Sequence, residues 1–212
     1  MKNQFLIFWI FLIVGLSTVT FNSCSSKKGI TDLHHDEGVI INGVKWATRN
    51  VDKPGTFAAK PEDAGMFYQW NRKKAWTVTG NVTNWNATTP EGDTWEKAND
   101  PSPTGWRVPT LVEIESLFDA DKVNNKWVTQ NGVKGRKFTD KATGASIFLP
   151  VVGFRSHRDG TLDDAGSYGN YWGSTAHEVG ETSVYYLTFY IADAYRSYAY
   201  SRNGLSVRAV AE

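Results

Sequence analysis

The sequence predicts a small α+β domain, on three observations. Thr110 and Glu113 form a capping box at the head of Leu111, Ile114, Leu117 and Phe118, which share one face at helical spacing. Short apolar and aromatic runs bounded by turn signals recur on either side of this helix, several of them alternating with period two. Strands and helices do not alternate as in βαβ units, so a helix-wrapped parallel sheet is not expected.

The elements follow in order. Val39–Ile41 and Val44–Trp46 flank Asn42-Gly43, a pair that tolerates the positive φ of a type I′ turn, and so predict a hairpin. Gly65–Trp70 is rich in aromatic residues and reads as a strand or a short helix, because six residues do not separate the two periods. From Thr77 to Pro103, Asn, Thr, Gly and Pro dominate. That composition predicts a long irregular connection, with Trp85 and Trp95 holding it to the body. Beyond the helix, Ser146–Phe154 is an apolar run. Val184–Ile191 then alternates, with Tyr185, Leu187, Phe189 and Ile191 on one face. Leu205–Val210 alternates again after the turn at Asn203-Gly204.

The chain begins with a different kind of signal. Lys2 precedes Phe5–Leu16, an uncharged apolar run of 12 residues. That is too short to span a bilayer and suits the core of a secretory signal. Cys24, the only cysteine, follows behind Ser23, similar to the end of a bacterial lipoprotein signal, where cleavage leaves the cysteine as the lipidated first residue. The division expected is a signal peptide over 1–23, a lipidated cysteine and tether over 24–38, and the folded domain over 39–212. Within the tether, His34-His35-Asp36-Glu37 reads as solvated linker, because adjacent histidines do not converge on one ion as helical i,i+4 histidines do. With Cys24 acylated, no thiol remains for a disulfide, a metal or a nucleophile. The membrane is thus a partner through Cys24, and the expected address is the cell envelope, as an outer-membrane lipoprotein. Nucleic acid is not an expected partner: 23 Lys+Arg stand against 22 Asp+Glu, without the basic excess that phosphates require.

Five blocks carry a resemblance. They are Val44–Val51, with Trp46 at its centre; Thr104–Thr110 running on to Leu117-Phe118; Phe148–Arg155 followed by Gly160; Gly169–Thr175; and Gly204–Val210. In this order, over about residues 39–211, the chain is similar to the Fibrobacter succinogenes major paralogous domain (FISUMP), common in Bacteroidetes lipoproteins. The resemblance implies a C-type-lectin-like fold shared with formylglycine-generating (sulfatase-modifying) enzymes. That fold is α+β, with short antiparallel strands, one well-capped helix and long irregular loops. Trp46, Trp106, Thr110, Glu113, Trp172 and Arg208 are then structural: the tryptophans as core, Thr110 and Glu113 as the cap, and Arg208 as partner to a buried carboxylate.

Fold does not give function, so each activity of such folds has to be tested on residues. The formylglycine-generating enzymes bind copper through paired cysteines, which this chain lacks after Cys24. His157 and His177 lie in no nucleophile motif, and the carboxylates at Asp163-Asp164, Glu178 and Glu181 read as solvated turns. No catalytic residue, metal or cofactor is assigned, and the chain is read as a non-enzyme. Calcium-dependent lectins carry Glu-Pro-Asn or Gln-Pro-Asp, with Trp-Asn-Asp following, and none of these occurs here. A calcium-independent carbohydrate site is the reading that remains, because sugars stack on Tyr and Trp faces. Its candidate residues are Tyr195, Arg196, Tyr198, Tyr200 and Arg202 on a presumed hairpin, with His157, Arg158 and Asp159 on a polar loop. The alternatives are a surface or fimbria-associated assembly subunit that binds protein partners, and an enzyme on the formylglycine-generating-enzyme-like fold. An open strand edge would favour assembly, and a cleft lined by Tyr and Arg would favour a ligand.

Overall fold

The first hairpin and the last strand of the body lie side by side in one sheet. A computed structural model describes residues 32–178 and 182–212; the signal segment and Cys24 fall outside the described residues. The described chain is mostly β-sheet with a single short α-helix. Strands β1 (Val39–Ile41) and β2 (Val44–Trp46) form the expected hairpin, with φ of 46° at Asn42 and 81° at Gly43. β2 pairs with β15 (Val210–Ala211), which pairs in turn with β5 (Trp106–Arg107), giving the order β1-β2-β15-β5. No described helix is long and apolar enough to cross a membrane.

The largest sheet has eight strands. Its main path runs β10 (Leu162–Asp163), β9 (Phe154–Arg155), β14 (Gly204–Ser206), β11 (Gly169–Ala176), β12 (Ser183–Phe189) and β13 (Ala194–Tyr200). The aromatic segment resolves as a strand, β3 (Phe67–Gln69), which pairs with β14 and with β4 (Ala75–Trp76). A third sheet, β6 (Val123–Gln130), β7 (Val133–Asp140) and β8 (Ser146–Pro150), shares no strand pairing with the other two.

Helix α1 (Leu111–Ser116) begins with the expected cap: the Glu113 N–H donates to Thr110 Oγ1, and the Thr110 N–H donates to Glu113 Oε2 at 2.8 Å. Ile114 and Leu117 are buried with Phe138, Leu149, Leu187 and Phe189 in one core cluster. A second cluster gathers Tyr68, Trp70, Trp95, Trp106, Trp172 and Leu205. Trp46, Trp106 and Trp172 are all buried, which is how most of the surface of such large side chains is removed from water.

Four expectations are corrected. The body begins before Val39: Phe57 N–H donates to Leu33 O at 2.6 Å, and Asp36 is buried. Its carboxylate accepts from Thr48 N, Thr48 Oγ1 and Arg49 Nε, at 3.1, 2.8 and 3.0 Å. Within the His34–Glu37 cluster only His35 and Glu37 form an exposed pair, at 2.8 Å. The alternating strand stops at Phe189. The Tyr190 N–H donates to Asp193 O, closing a turn, and Ile191 is 69% exposed rather than on the Leu187 face. Residues 204–210 do not form one half-buried strand but pass, wholly buried, from the large sheet to the terminal one.

Arg208 is the fourth. No carboxylate lies within hydrogen-bonding reach among the described residues. Its guanidinium donates instead to Asn50 Oδ1 at 2.7 and 3.0 Å, and to the carbonyls of Ala47 and Phe148 at 3.2 and 3.0 Å. Burial lowers its pKa to about 10, which still leaves it cationic at neutral pH. Neutral acceptors satisfy its donors without adding a second ion to desolvate.

Candidate aromatic groove

The expected irregular connection is present, and it is held from within. Between Trp76 and Trp106 the described chain forms one 3-10 turn, Lys97–Asn99, and a single bridge, Thr94 to Thr175. Its main-chain carbonyls lack partners of their own in a sheet, and side chains of the body donate to several of them. Arg155, fully buried, donates to Thr77 O, Thr79 O and Gly80 O at 2.7, 3.1 and 2.9 Å, and to Gly160 O at 2.6 Å. Gln69 reaches Asn86 O at 2.6 Å, Arg72 reaches Thr88 O at 3.0 Å, and Asn71 reaches Glu91 O at 3.0 Å. Trp85 tilts against Trp76 at 4.7 Å between ring centres.

One of these contacts, Arg155 to Gly160 O, braces the β9–β10 hairpin, which with strands β12 and β13 borders a groove. One part, about 290 Å³, is lined by Phe154, Asp164, Tyr168, Tyr186 and Tyr195. A larger part, about 580 Å³, is bordered by His157, Arg158, Tyr198 and Tyr200. The two share Phe154, Tyr186, Ala199 and Asn203, so they are contiguous. Asn170 and Thr188, which also line the smaller part, are joined by a 2.9 Å hydrogen bond. Tyr168 stacks on Tyr190 at 5.3 Å, and the His157 ring lies 4.5 Å from that of Tyr200. Burial pushes the phenols of Tyr186 and Tyr195 up, so both are neutral hydroxyls at physiological pH.

The strand pleat divides the sequence candidates. Tyr195, 43% exposed, lies on the groove face with Ala199. Arg196 lies on the opposite face, paired with Glu115 of α1 at 2.7 Å and over the Tyr185 ring at 5.4 Å. Tyr198 stands directly across from Tyr185 and packs on His177 at 4.4 Å. Arg202 is half-buried and donates to Ala87 O at 3.0 Å, so its guanidinium holds the long connection. His157 donates its main-chain N–H to Asn203 Oδ1 at 2.7 Å. Asp159 accepts from the Thr161 N–H at 2.9 Å, and that bond lowers its pKa. Arg158 remains exposed at the rim.

Sequence reasoning missed Phe154, Tyr168, Tyr186 and Asn203. Tyr168 and Asn203 sit in turns, and Tyr186 joins the groove only through its register opposite Ser197.

A second cavity, about 450 Å³, lies between the 95–107 segment and Ser174, walled by Trp95 and Trp106. Two of its cations are already paired, Arg107 with Glu113 at 2.6 Å and Lys97 with Glu212 at 3.1 Å. Among the described residues no group of three or more His, Cys, Asp or Glu is placed to hold a metal ion. No known protein family, curated protein or solved structure matches the chain.

Proposed function

We propose that this chain is a cell-envelope lipoprotein, anchored through Cys24, whose body is a C-type-lectin-like binding module that recognises carbohydrate without calcium. The observation that carries the carbohydrate reading is the groove. Tyr168, Tyr186, Tyr195, His157 and Tyr200 border one continuous cleft with Asn203 and Arg158. Rings offer flat apolar faces to sugar C–H groups, while hydroxyls, an amide and a guanidinium supply directed hydrogen bonds around them. This mixture of rigid aromatic area and few polar groups is the usual make-up of a small-ligand site.

The lectin-like part of the reading draws on the five sequence blocks and on two features of the architecture. The ends of the body share one sheet, and a long irregular connection precedes the capped helix.

The test is binding of the full chain, in non-ionic detergent, to a broad glycan array with and without chelator. The expected outcome is a set of glycan signals unchanged by chelation. Tyr195→Ala is expected to weaken them at least about tenfold, roughly 1.4 kcal/mol. Signals lost on chelation would contradict the metal-free reading, and silence in both conditions would overturn the carbohydrate reading.

A further inference from the structure

Strand β13 ends the main path of the large sheet: β12 pairs with one side, and no described strand pairs with the other. Its seven residues, Ala194-Tyr195-Arg196-Ser197-Tyr198-Ala199-Tyr200, contain no Pro, Gly or Lys, and their one charge, Arg196, is paired with Glu115 of its own chain. The other sheet edges are guarded. β1, β4, β5 and β10 are two or three residues long, β6 carries Lys126, and β8 ends in Pro150. A long edge without such devices is a template for another strand.

We propose that β13 pairs antiparallel with β13 of a second copy, about a two-fold axis through Ser197. The side chains select this occupant and this register. An axis perpendicular to the sheet must keep each side chain on its own face, so only registers centred on a residue are allowed. Centred on Ser197, Tyr195 stands opposite Ala199, Arg196 opposite Tyr198 and Ala194 opposite Tyr200, in both directions. Every ring then meets a small side chain or a cation. Centring on Arg196 would set two guanidinium groups directly opposite each other, which is unfavourable, and centring on Tyr198 would leave Ala194 and Tyr195 outside the paired strands, whereas Ser197 is the middle residue of β13 and pairs its full length.

The chosen register also extends chemistry already present. Arg196 lies over Tyr185 of its own chain at 5.4 Å, and the pairing gives it Tyr198 of the second copy on its other side. Seven residues bury little surface compared with the roughly 1,200 Å² of a stable interface, so the pair is weak and concentration-dependent. Because Tyr195 and Ala199 also line the groove, the two grooves meet across the axis. The inference stands on strand geometry and is independent of what the groove binds.

The experiment uses the full chain in non-ionic detergent, with Cys24→Ser so that one thiol is present. Ser197→Cys places a thiol on the axis, where opposite Cβ atoms are about 4.5–5.5 Å apart, close to disulfide reach. Thr129→Cys, on the edge of β6, is the comparison. The expected result is a covalent dimer forming at least about tenfold faster for Ser197→Cys under mild oxidation. Sedimentation of the unsubstituted chain should show a reversible dimer between about 10 μM and about 1 mM, and Tyr198→Lys should remain monomeric with an unchanged circular-dichroism spectrum. A monomer throughout that range, equal cross-linking at the two positions, or a dimer that survives Tyr198→Lys would overturn the proposal.

Discussion

Asp36 shows how a single side chain can extend a domain. Burial alone would raise its pKa. Donors from Thr48, Gly38 and Arg49 more than offset that and hold the carboxyl below its ordinary value. A carboxyl depressed in the folded state stabilises fully above its unfolded pKa, near 3.9, and that stabilisation is lost as pH falls through the folded value. Asp36→Asn is therefore expected to cost about 3 kcal/mol at pH 7, by stranding Arg49 in a buried site. The gap to the unsubstituted chain should close in strong acid, and urea unfolding at pH 7 and near pH 2 measures it. A difference of the same size at both values would mean that the carboxylate charge is irrelevant. None of this was legible in His34-His35-Asp36-Glu37, a polar string whose third member happens to fold under Thr48. Arg208 failed for a related reason. Sequence shows that a buried arginine needs acceptors but not that Asn50, 158 positions away, provides one.

At the scale of elements, legibility followed the range of the signal. The Asn42-Gly43 hairpin and the capped helix were readable because turn dihedrals and caps are written within four residues. The Asn131-Gly132 turn between β6 and β7 carries the same kind of signature, with φ of 48° and 83°. The run from Gly204 to Val210 was misread because its two halves belong to different sheets, which local alternation does not report. The groove divides in the same way. Tyr195 and His157 could be named, but which faces of β12 and β13 they share is a matter of pairing. The cap itself is testable. Thr110 Oγ1 donates to Glu113 Oε2 at 2.9 Å, and Arg107 grips the same carboxylate at 2.6 and 2.8 Å. Thr110→Ala should destabilise by about 1 kcal/mol, with Thr110→Ser close to neutral, as measured by urea midpoints. Equal losses in both variants would assign the effect to the threonine methyl instead.

Across the described body, the last strand closes what the first hairpin opens. Val210 pairs with both Trp46 and Arg107, and Val207, Arg208, Ala209 and Val210 are all buried. Deleting residues 207–212 removes β15 and the guanidinium that ties Asn50 to Phe148. The expected outcome is loss of a cooperative transition in near-ultraviolet circular dichroism, because the deletion removes stability on the order of 5 kcal/mol or more, comparable to a domain's total. A truncated chain that still melts sharply would show the terminal sheet to be an appendage. At this scale strands around one short helix are legible in the sequence, and the start of the body before Val39 is not, because it rests on contacts of Leu33 and Asp36 with Phe57 and Thr48.

The carbonyl grip of Arg155 has an evolutionary consequence. It holds Thr77, Thr79, Gly80 and Gly160 by their main chains alone, so those contacts do not depend on the Thr77 and Thr79 side chains, whereas Gly80 and Gly160, at φ of 65° and 77°, are kept as glycine by the backbone itself. Drift could then replace the rim residues of the groove one by one while the frame beneath keeps its shape. The lining of the groove is thereby freer to change than the fold beneath it.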